Sequence, residues 1–339
     1  MLNDIIMANK KKIIVSGIRP TGKMHLGNYH GAVKHWVKLQ HEYDCYFFIA
    51  DLHALTTHYS KSNNIKQDTQ CLLEDLLTVG LNSKYCKIFI QSQIPEHAEL
   101  SLLLSTITPV SWLERVPTYK DQQQKLTELD LSTYGFLGYP LLQSADVLLY
   151  NAEYVPVGED QTSHIELTRE IVRRFNHIYG FGKKILLEPK LLLSDAPKVI
   201  GVDGQKMSKS YNNTIAIAEE QSSIEKKIKT MPTDPARIKR TDCGDPDKCP
   251  VWQLHKIYSN EEVKTWADAG CRSAKIGCLD CKGALLKFIE QEQQIFREQS
   301  KLYKENKNLI NITLQESKEQ ASIVAKDTLI KVKTAMGII

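Results

Sequence analysis

A glycine-rich turn between two apolar segments constrains the fold of this chain more than any other stretch. The turn covers residues 16–31 and reads SGIRPTGKMHLGNYHG, with an apolar run at 13–15 before it and an amphipathic run from residue 32 onward. This order predicts a strand, a turn and a helix. Unpaired N–H groups and the positive dipole at the start of such a helix attract phosphate, although a plain strand-to-helix turn is the alternative. The glycine spacing matches neither the dinucleotide fingerprint nor the P-loop.

The first half of the chain alternates strand-like and helix-like segments. Residues 65–79 place four leucines on one face of a predicted helix, and apolar runs of strand length lie on either side of it. The further strand candidates are residues 45–50, 87–90 and 154–157. Such alternation predicts an α/β fold with a doubly wound parallel sheet, in which ligands bind beyond the carboxyl ends of the strands.

The composition narrows the class of protein. A chain of 339 residues suits two domains, or one large domain with an appendage, and its formal charge of +4 is too small to identify a nucleic-acid partner. No apolar run reaches the length of a membrane span, and the first residues lack the pattern of a signal peptide, which predicts a cytoplasmic protein with no membrane partner. Eight cysteines in that compartment are not expected to form disulfides, so their spacing is examined for metal ligation.

Two acidic residues stand out in the middle of the chain. Asp146 lies in the apolar helical run 139–150, and a buried carboxylate needs an internal donor, a solvent-filled pocket or a ligand. Asp160 follows the strand candidate at 154–157, where it either caps the next helix or meets the hydroxyls of a ribose. His53, at another strand end, has an ordinary hydrogen-bonded histidine as its alternative interpretation.

A second motif lies far downstream of the glycine-rich turn. Residues 206–210 read KMSKS in a segment without apolar periodicity. Two lysines three positions apart, beside two serines, suit a loop that closes over a polyphosphate. A solvated loop is the alternative for the pentapeptide alone. The presence of both motifs in one chain favours the phosphate-binding interpretation.

The two motifs together resemble the signatures of class I aminoacyl-tRNA synthetases. His25 to Asn28 matches the first signature and Lys206 to Ser210 the second. The further segments that resemble bacterial-type tryptophanyl-tRNA synthetases are residues 16–22, 141–150, 155–161 and 164–167. The similarity runs over roughly residues 11 to 337. Asn28 stands where the broader class has histidine, and Arg19 replaces a glutamine that many members have.

The resemblance implies a Rossmann-like catalytic domain and a two-step reaction. Tryptophan is activated by ATP, with Mg²⁺, to tryptophanyl-adenylate and pyrophosphate, and the acyl group then passes to tRNA(Trp). Because no protein nucleophile is needed, catalysis depends on alignment and positive charge. The implied catalytic residues are His25, Asn28, Lys206, Lys209 and Ser210. The implied ATP-binding residues are Arg19, Pro20, Thr21, Gly27, Asn28, Gly158, Glu159, Asp160, Val199, Lys206, Met207, Ser208, Lys209 and Ser210.

The same resemblance implies which side chains bind the amino acid. Indole offers one N–H donor and no acceptor, so an acceptor-only carboxylate such as Asp146 suits tryptophan better than the phenol of tyrosine. An apolar pocket around it suits the rings, and an unpaired Asp146 would discriminate against phenylalanine. The implied tryptophan-binding residues are Asp146, Val15, Gly17, His53, Gln143, Val155 and Val157.

The cysteines cluster in the last third of the chain. Cys249, Cys271, Cys278 and Cys281 form the pattern C-x21-C-x6-C-x2-C. Zinc usually binds two tight pairs, whereas an iron–sulfur cluster accepts four thiolates at irregular spacing, so we expect a 4Fe-4S cluster. Zn²⁺ is the alternative metal for these four cysteines, and four free thiols without a metal are the third possibility. A subset of tryptophanyl-tRNA synthetases resembles this pattern and carries such a cluster.

We therefore expect two domains. Residues 1–215 form the catalytic domain, with a helical insertion at about 103–142, and residues 216–339 form an all-helical anticodon-binding domain with the cysteines of 249–281. The family implies a homodimer. Three alternatives remain open: a tyrosine–tRNA ligase, a class I-like nucleotidyltransferase that does not act on tRNA, and a non-catalytic nucleic-acid-binding protein organised by a metal cluster.

Overall fold

The computed structural model describes residues 11–117, 119–120, 130–158, 161–193 and 197–339. Its central sheet, in the described part of the chain, has five strands in the order β3-β2-β1-β4-β5, and every neighbouring pair is parallel. The strands are β1 (Ile13–Ile18), β2 (Asp44–Ile49), β3 (Cys86–Ile90), β4 (Tyr154–Val157) and β5 (Lys190–Leu193). The chain reverses direction of winding between β1 and β4, which is where open α/β sheets bind ligands.

Apolar side chains cover both faces of the sheet. Ile14 packs into a cluster with Leu26 and Met207, whereas its neighbour Val15 packs into a second cluster with Tyr150 and Val155. Because successive side chains of a strand point to opposite faces, β1 contributes to both clusters. Burial on two faces explains why these strands are nearly continuous apolar runs in the sequence.

Helices connect the strands of the first half. The helix after β1 is one continuous run that consists of α1 (Leu26–Asn28), a π-helical turn (Tyr29–Val33) and α2 (Lys34–Glu42). The other helices of this half are α3 (Asp51–His58), α4 (Ile65–Thr78), α5 (Glu96–Ser105), α6 (Val110–Glu114), α7 (Tyr134–Leu137), α8 (Tyr139–Leu148) and α9 (Thr162–Tyr179). Among them, α6 and α7 belong to the predicted insertion, of which residues 118 and 121–129 lie outside the described residues.

The chain beyond residue 215 is helical, as predicted. Its helices are α10 (Gln221–Thr230), α11 (Pro250–Tyr258), α12 (Glu261–Arg272), α13 (Cys278–Glu305) and α14 (Lys307–Ala335). The last helix returns to the sheet and packs along β3. Glu292 of α13 bonds the ring of His30 over 3.1 Å, so the helical region also contacts the helix after β1. In the described ranges, no helix is both long enough and apolar enough to cross a membrane.

The predicted fold class is confirmed, with one strand added. The doubly wound parallel sheet and the helical last third are both present. β5 was not among the strand candidates, because it is a four-residue edge strand whose end residues are exposed. The boundary predicted near residue 215 stays a prediction.

Candidate active site

The first signature begins the helical run after β1. His25 is the N-cap residue: its Nδ1 accepts from the backbone N–H of Asn28, and the Asn28 side chain accepts from the His25 backbone N–H, both over 3.3 Å. Gly27 lies so close to this ring that a Cβ there would stand 2.8 Å from His25 Nδ1. The motif therefore fixes the start of the helix through His25 and Asn28 and requires glycine between them.

The second signature packs directly against the first. The backbone N–H of Gly27 points at the Met207 sulfur, 3.3 Å away, and Met207 is buried in the same apolar cluster as Leu26. Beyond the loop, Leu26 N donates to Ile215 O and Ile217 N donates to Met24 O, each over 2.9 Å. The structure thus brings together two segments that are about 180 residues apart in the sequence.

A buried asparagine, Asn213, shapes the loop that carries the second signature. Its Oδ1 accepts from Ser208 N over 2.7 Å, and its Nδ2 donates to Lys206 O over 3.1 Å and to Asp203 over 2.7 Å. Gly201 makes room for it, since a Cβ there would stand 2.4 Å from the Asn213 amide. We did not predict Asn213, because an asparagine shortly after a polar loop has no distinctive sequence signal.

Lys209 is the one lysine of this loop that contacts the first segment in the described residues. Its Nζ donates to Thr21 O over 2.7 Å and lies 3.3 Å from Thr21 Oγ1. Burial lowers the pKa of Lys209, and nearby Asp68 and Asp75 oppose that effect. The ammonium in turn adds to burial in lowering the pKa of His25 to about 4, so this imidazole is neutral at pH 7. Lys206 and Ser210 are exposed.

Asp146 lies at the centre of a buried hydrogen-bond network. Its Oδ1 accepts from Gln91 Nε2 and His97 Nδ1, each over 2.7 Å, and its Oδ2 accepts from His53 Nε2 over 2.8 Å. The other ring nitrogen of His97 bonds the Tyr150 hydroxyl over 2.8 Å. The internal donors expected for a carboxylate in an apolar helix are therefore present, and they come from α3, from the residue after β3 and from α5.

The network keeps Asp146 ionised. Burial by itself raises the pKa of Asp146, but the hydrogen bonds from His53 and His97 outweigh it and lower the pKa to about 2. A carboxylate has about four acceptor positions, and three are used, two on Oδ1 and one on Oδ2. One acceptor position therefore remains, on the oxygen that faces His53. His97 was not among the predicted site residues, because its role depends on tertiary contacts.

The other residues expected around the amino acid lie near this network or in the core. Val15 and Val155 are buried in the apolar cluster that also holds Tyr150, and Val157 is half-buried against it. Gly17 lies under the Phe48 ring, where a Cβ would stand 2.5 Å from ring carbons. Gln143 donates to Gln161 over 3.4 Å at the start of α9.

The remaining predicted nucleotide contacts are distributed along the carboxyl edge of the sheet. Arg19 and Pro20 directly follow β1, where Arg19 is exposed and Pro20 is buried. Gly158 is exposed at the end of β4 and Val199 is buried. Glu159 and Asp160 lie outside the described residues.

The four cysteines of the predicted metal site converge in the helical region. Cys249 precedes α11, Cys271 lies near the end of α12, and Cys278 and Cys281 lie in the first turn of α13. Burial and the other three thiols raise the pKa of Cys281 to about 12. Within the described ranges, however, no group of three or more His, Cys, Asp or Glu side chains has the arrangement of a metal site.

Polar side chains around these thiols are ordered. His255, which is fully buried, bonds Cys281 Sγ over 3.2 Å and Ser259 Oγ over 2.7 Å. Arg237 Nη1 lies 3.7 Å from Cys271 Sγ, and its Nη2 donates to Ile276 O over 2.6 Å. Arg237 is therefore a structural residue of this region.

Comparison with protein families and curated sequences gives a consistent result. The model of the family "tRNA synthetases class I (W and Y)" matches residues 7–296. A tryptophan–tRNA ligase from Ralstonia nicotianae is 46% identical, over 96% of this chain and 98% of its own length. A tryptophan–tRNA ligase from Thermotoga maritima is 47% identical, over 96% of this chain and 99% of its own length.

Solved structures show the same similarity in three dimensions. Tryptophanyl-tRNA synthetase from Campylobacter jejuni, complexed with ADP and tryptophan, superimposes with a TM-score of 0.85 at 29% identity and covers 96% of this chain and 99% of that one. The enzyme from Mycoplasma pneumoniae superimposes with a TM-score of 0.76 at 26% identity, over 96% and 98% of the two chains. A tyrosyl-tRNA synthetase from Archaeoglobus fulgidus, at 20% identity and a TM-score of 0.65, shares the fold.

Proposed function

The chain belongs to the family of class I tRNA synthetases for tryptophan and tyrosine, and from that premise we propose how its residues carry out the reaction of a tryptophan–tRNA ligase. The tryptophan carboxylate attacks the α-phosphate of MgATP to give tryptophanyl-adenylate and pyrophosphate. The activated acyl group then passes to a ribose hydroxyl at the 3′ end of tRNA(Trp). The chain needs no nucleophile of its own, so its residues act by alignment and by charge.

The observation that carries this proposal is the contact between the two signatures. Lys209 Nζ stands on the Thr21 carbonyl, 2.7 Å away, beside the helix start that His25 and Asn28 fix. A triphosphate bound at this turn would meet the Lys209 ammonium at its outer end, where negative charge accumulates on the departing pyrophosphate. Lys206 and Ser210, both exposed on the same loop, are free to approach the same phosphates.

The rest of the ATP site follows the carboxyl edge of the sheet. Arg19, Pro20 and Thr21 would line the phosphates after β1, and the close approach that Gly27 permits would bring the backbone to the nucleotide. Gly158, Glu159 and Asp160 would meet the nucleoside after β4. Val199, Met207 and Ser208 complete the set, and buried Met207 anchors the second signature against Gly27.

We assign recognition of the indole ring to Asp146. The carboxylate is ionised and fixed by three donors, and its remaining acceptor position is suited to one further N–H. His53 and Gln143 would flank the substrate, and Gly17, Val15, Val155 and Val157 would form the apolar wall. A phenol would need a donor for its oxygen as well, so this arrangement favours tryptophan over tyrosine.

Amino-acid-dependent exchange of pyrophosphate into ATP tests this assignment. We expect exchange with tryptophan and none with tyrosine, and charging of tRNA(Trp) under the same conditions. Exchange with tyrosine alone would contradict the role of Asp146. Exchange without tRNA charging would instead favour a nucleotidyltransferase that does not act on tRNA.

We further propose that the four cysteines hold a 4Fe-4S cluster. Four thiols are the usual ligand set of such a cluster, each lies close enough to influence the pKa of Cys281, and the first turn of α13 favours thiolates through its dipole. Gly244 packs closely on the Cys271 sulfur, since a Cβ there would stand 2.6 Å from it. When bound, the cluster would cross-link α11, α12 and α13 through its iron–thiolate bonds. Stoichiometric zinc in a colourless, anaerobically purified protein would contradict the iron assignment.

We also propose roles for the two parts of the chain and an oligomeric state. We assign residues 1–215 to catalysis, with the insertion near 103–142, and 216–339 to anticodon binding. A homodimer in the cytoplasm is the expected form. Large apolar side chains in and near the insertion support a partner surface, because Leu102, Val110 and Tyr134 are 66%, 57% and 72% exposed. Sedimentation of Leu102→Glu as a monomer, with the unaltered chain as a dimer, would support this surface.

A further inference from the structure

Lys209 is held in this structure by protein groups in the position expected for binding phosphate. Its ammonium has three N–H donors, and the described contacts use the Thr21 carbonyl and, more weakly, the Thr21 hydroxyl. A lysine that must reach a pyrophosphate has to leave these partners or share them. Any further group that stabilises Lys209 in this position therefore affects the affinity for ATP.

One face of α4 supplies opposite charge to this position. Asp68 and Asp75 are seven residues apart on the helix, so they lie on the same face, while Leu72, Leu73 and Leu76 pack into the core. A Cβ at Gly22 would stand 3.7 Å from both Asp68 Oδ1 and Lys209 Nζ, so the carboxylate and the ammonium both lie next to this glycine.

Asp75 has a second contact with the same turn. Its Oδ2 accepts from the backbone N–H of Met24 over 2.7 Å. Met24 in turn pairs with Ile217, which follows the second signature, through the bond from Ile217 N to Met24 O. Asp75 is therefore linked to both phosphate-binding segments, by its charge to Lys209 and by a hydrogen bond to the turn.

We propose that Asp68 and Asp75 are positioning residues that hold Lys209 on the Thr21–Met24 turn until the triphosphate of ATP replaces them. This inference rests on the proposed role of Lys209 in binding phosphate. Before ATP arrives, the two carboxylates stabilise the Lys209 ammonium, and Asp75 also lies near Lys23. When ATP binds, its phosphates compete with the carboxylates for the same ammonium. The acidic pair thus keeps the lysine aimed at the site at some cost in ATP affinity.

Neutral variants of Asp68 and Asp75 separate the effect of the negative charge from the effect of the hydrogen bond to the turn. Asp68→Asn removes a charge from a partly exposed side chain that has no hydrogen bond to the turn among the described contacts. Asp75→Asn removes a charge but keeps an oxygen that can accept from Met24 N. We expect each to lower the KM for ATP about threefold in pyrophosphate exchange, with kcat unchanged within a factor of two. Asp75→Ala also loses the acceptor, and we expect a loss of kcat.

Glu74→Gln is the matched control, because it removes the same charge from the same helix beside Asp75 but on another face. It should leave the KM for ATP unchanged. A double-mutant cycle tests the mechanism: in a Lys209→Ala background, Asp68→Asn should no longer change the KM for ATP. Raising the salt concentration should reduce the effect of Asp68→Asn, because partly exposed charges are screened.

The possible outcomes distinguish this inference from the function on which it rests. A lower KM for ATP in both neutral variants, absent from the control and abolished without Lys209, supports the inference. An unchanged or higher KM in both variants, while Lys209→Ala still impairs exchange, overturns the inference and leaves the role of Lys209 intact. If Lys209→Ala itself exchanges pyrophosphate normally, the proposed role of the loop fails, and the inference fails with it.

Discussion

Two carboxylates at the two ends of the proposed site, Asp146 and Asp75, have pKa values shifted in opposite directions. Asp146 is almost fully buried, yet hydrogen bonds from His53 and His97 outweigh the burial and lower its pKa to about 2. Asp75 is half-buried, and burial raises its pKa to about 6 because one backbone N–H and the more distant Lys23 and Lys209 compensate it only in part.

The difference shows how donors, rather than depth, decide the state of a carboxylate. At the tryptophan end, three donors fix Asp146 in one ionised state, which suits recognition of a single neutral N–H. At the phosphate end, Asp75 and Lys209 are held by few contacts. Groups with few contacts are suited to exchanging partners when a triphosphate arrives.

Removing the acceptor at the tryptophan end should have the largest effect. Asp146→Ala leaves the buried donors of Gln91, His97 and His53 without their partner. We expect a loss of about 3–5 kcal/mol in the free energy of unfolding, measured in urea, and at least a hundredfold increase in the KM for tryptophan. The control, Asp146→Asn, keeps one oxygen acceptor and should lose less. Equal, small losses in both variants would mean that the network is not a unit.

Removing the cation at the phosphate end should affect the reaction and not the fold. Lys209→Ala should slow adenylate formation by about 100-fold to 1,000-fold, as does the loss of one preorganised donor to developing charge in other enzymes. Tryptophan affinity, measured by fluorescence quenching, should be unchanged, and so should the urea midpoint. A parallel loss of tryptophan affinity would show that the two ends are not separable.

The pH dependence of stability should carry the contribution of Asp146. Because its folded pKa of about 2 lies below the ordinary value of 3.8, its contribution is fully present above pH 4 and is lost as the pH falls towards 2. This contribution is on the order of 2 kcal/mol. The free energy of unfolding of Asp146→Asn should therefore fall less between pH 4 and pH 2 than that of the unaltered chain, by this amount. An identical acid profile for both proteins would contradict the assigned shift.

Asp75 should show a pH dependence of similar size and of the opposite sign. Its folded pKa of about 6 is above 3.8, so ionisation of Asp75 destabilises the folded state. Its effect on the free energy of unfolding is therefore most favourable below pH 4 and becomes less favourable as the pH rises through 6. Asp75→Asn should therefore gain stability relative to the unaltered chain across this interval, and stay level above pH 7. Thermal melting at pH 4, 5, 6 and 7 measures this difference. A constant difference across the interval would contradict it.

The sequence predicts the fold well because its signals are local. Alternating apolar runs indicate the four strands β1 to β4, and the amphipathic period of 65–79 predicts α4, observed as Ile65–Thr78. The edge strand β5 lacks such a signal, since only its two central residues are even half-buried. Each signature motif is also a short stretch of sequence. The resemblance of both motifs to those of class I synthetases predicts that the loop of Lys209 lies close to the turn of Thr21.

What the sequence leaves unpredicted depends on tertiary contacts. It requires a partner for Asp146 but does not identify His97, which lies in α5 with no pattern of its own. In the sequence, Asp68 and Asp75 are typical of the solvated face of an amphipathic helix. Only the tertiary structure shows that this face lies beside Lys209. The same holds for Asn213, whose three contacts form only when the loop closes around it.

A crystal structure of the protein with tryptophan and a non-hydrolysable ATP analogue tests both ends of the site at once. We expect the indole N–H to donate to Asp146 and Lys209 Nζ to have moved from the Thr21 carbonyl to a phosphate oxygen. An indole nitrogen that faces away from Asp146, or a Lys209 that still rests on Thr21 beside a bound triphosphate, would contradict this expectation.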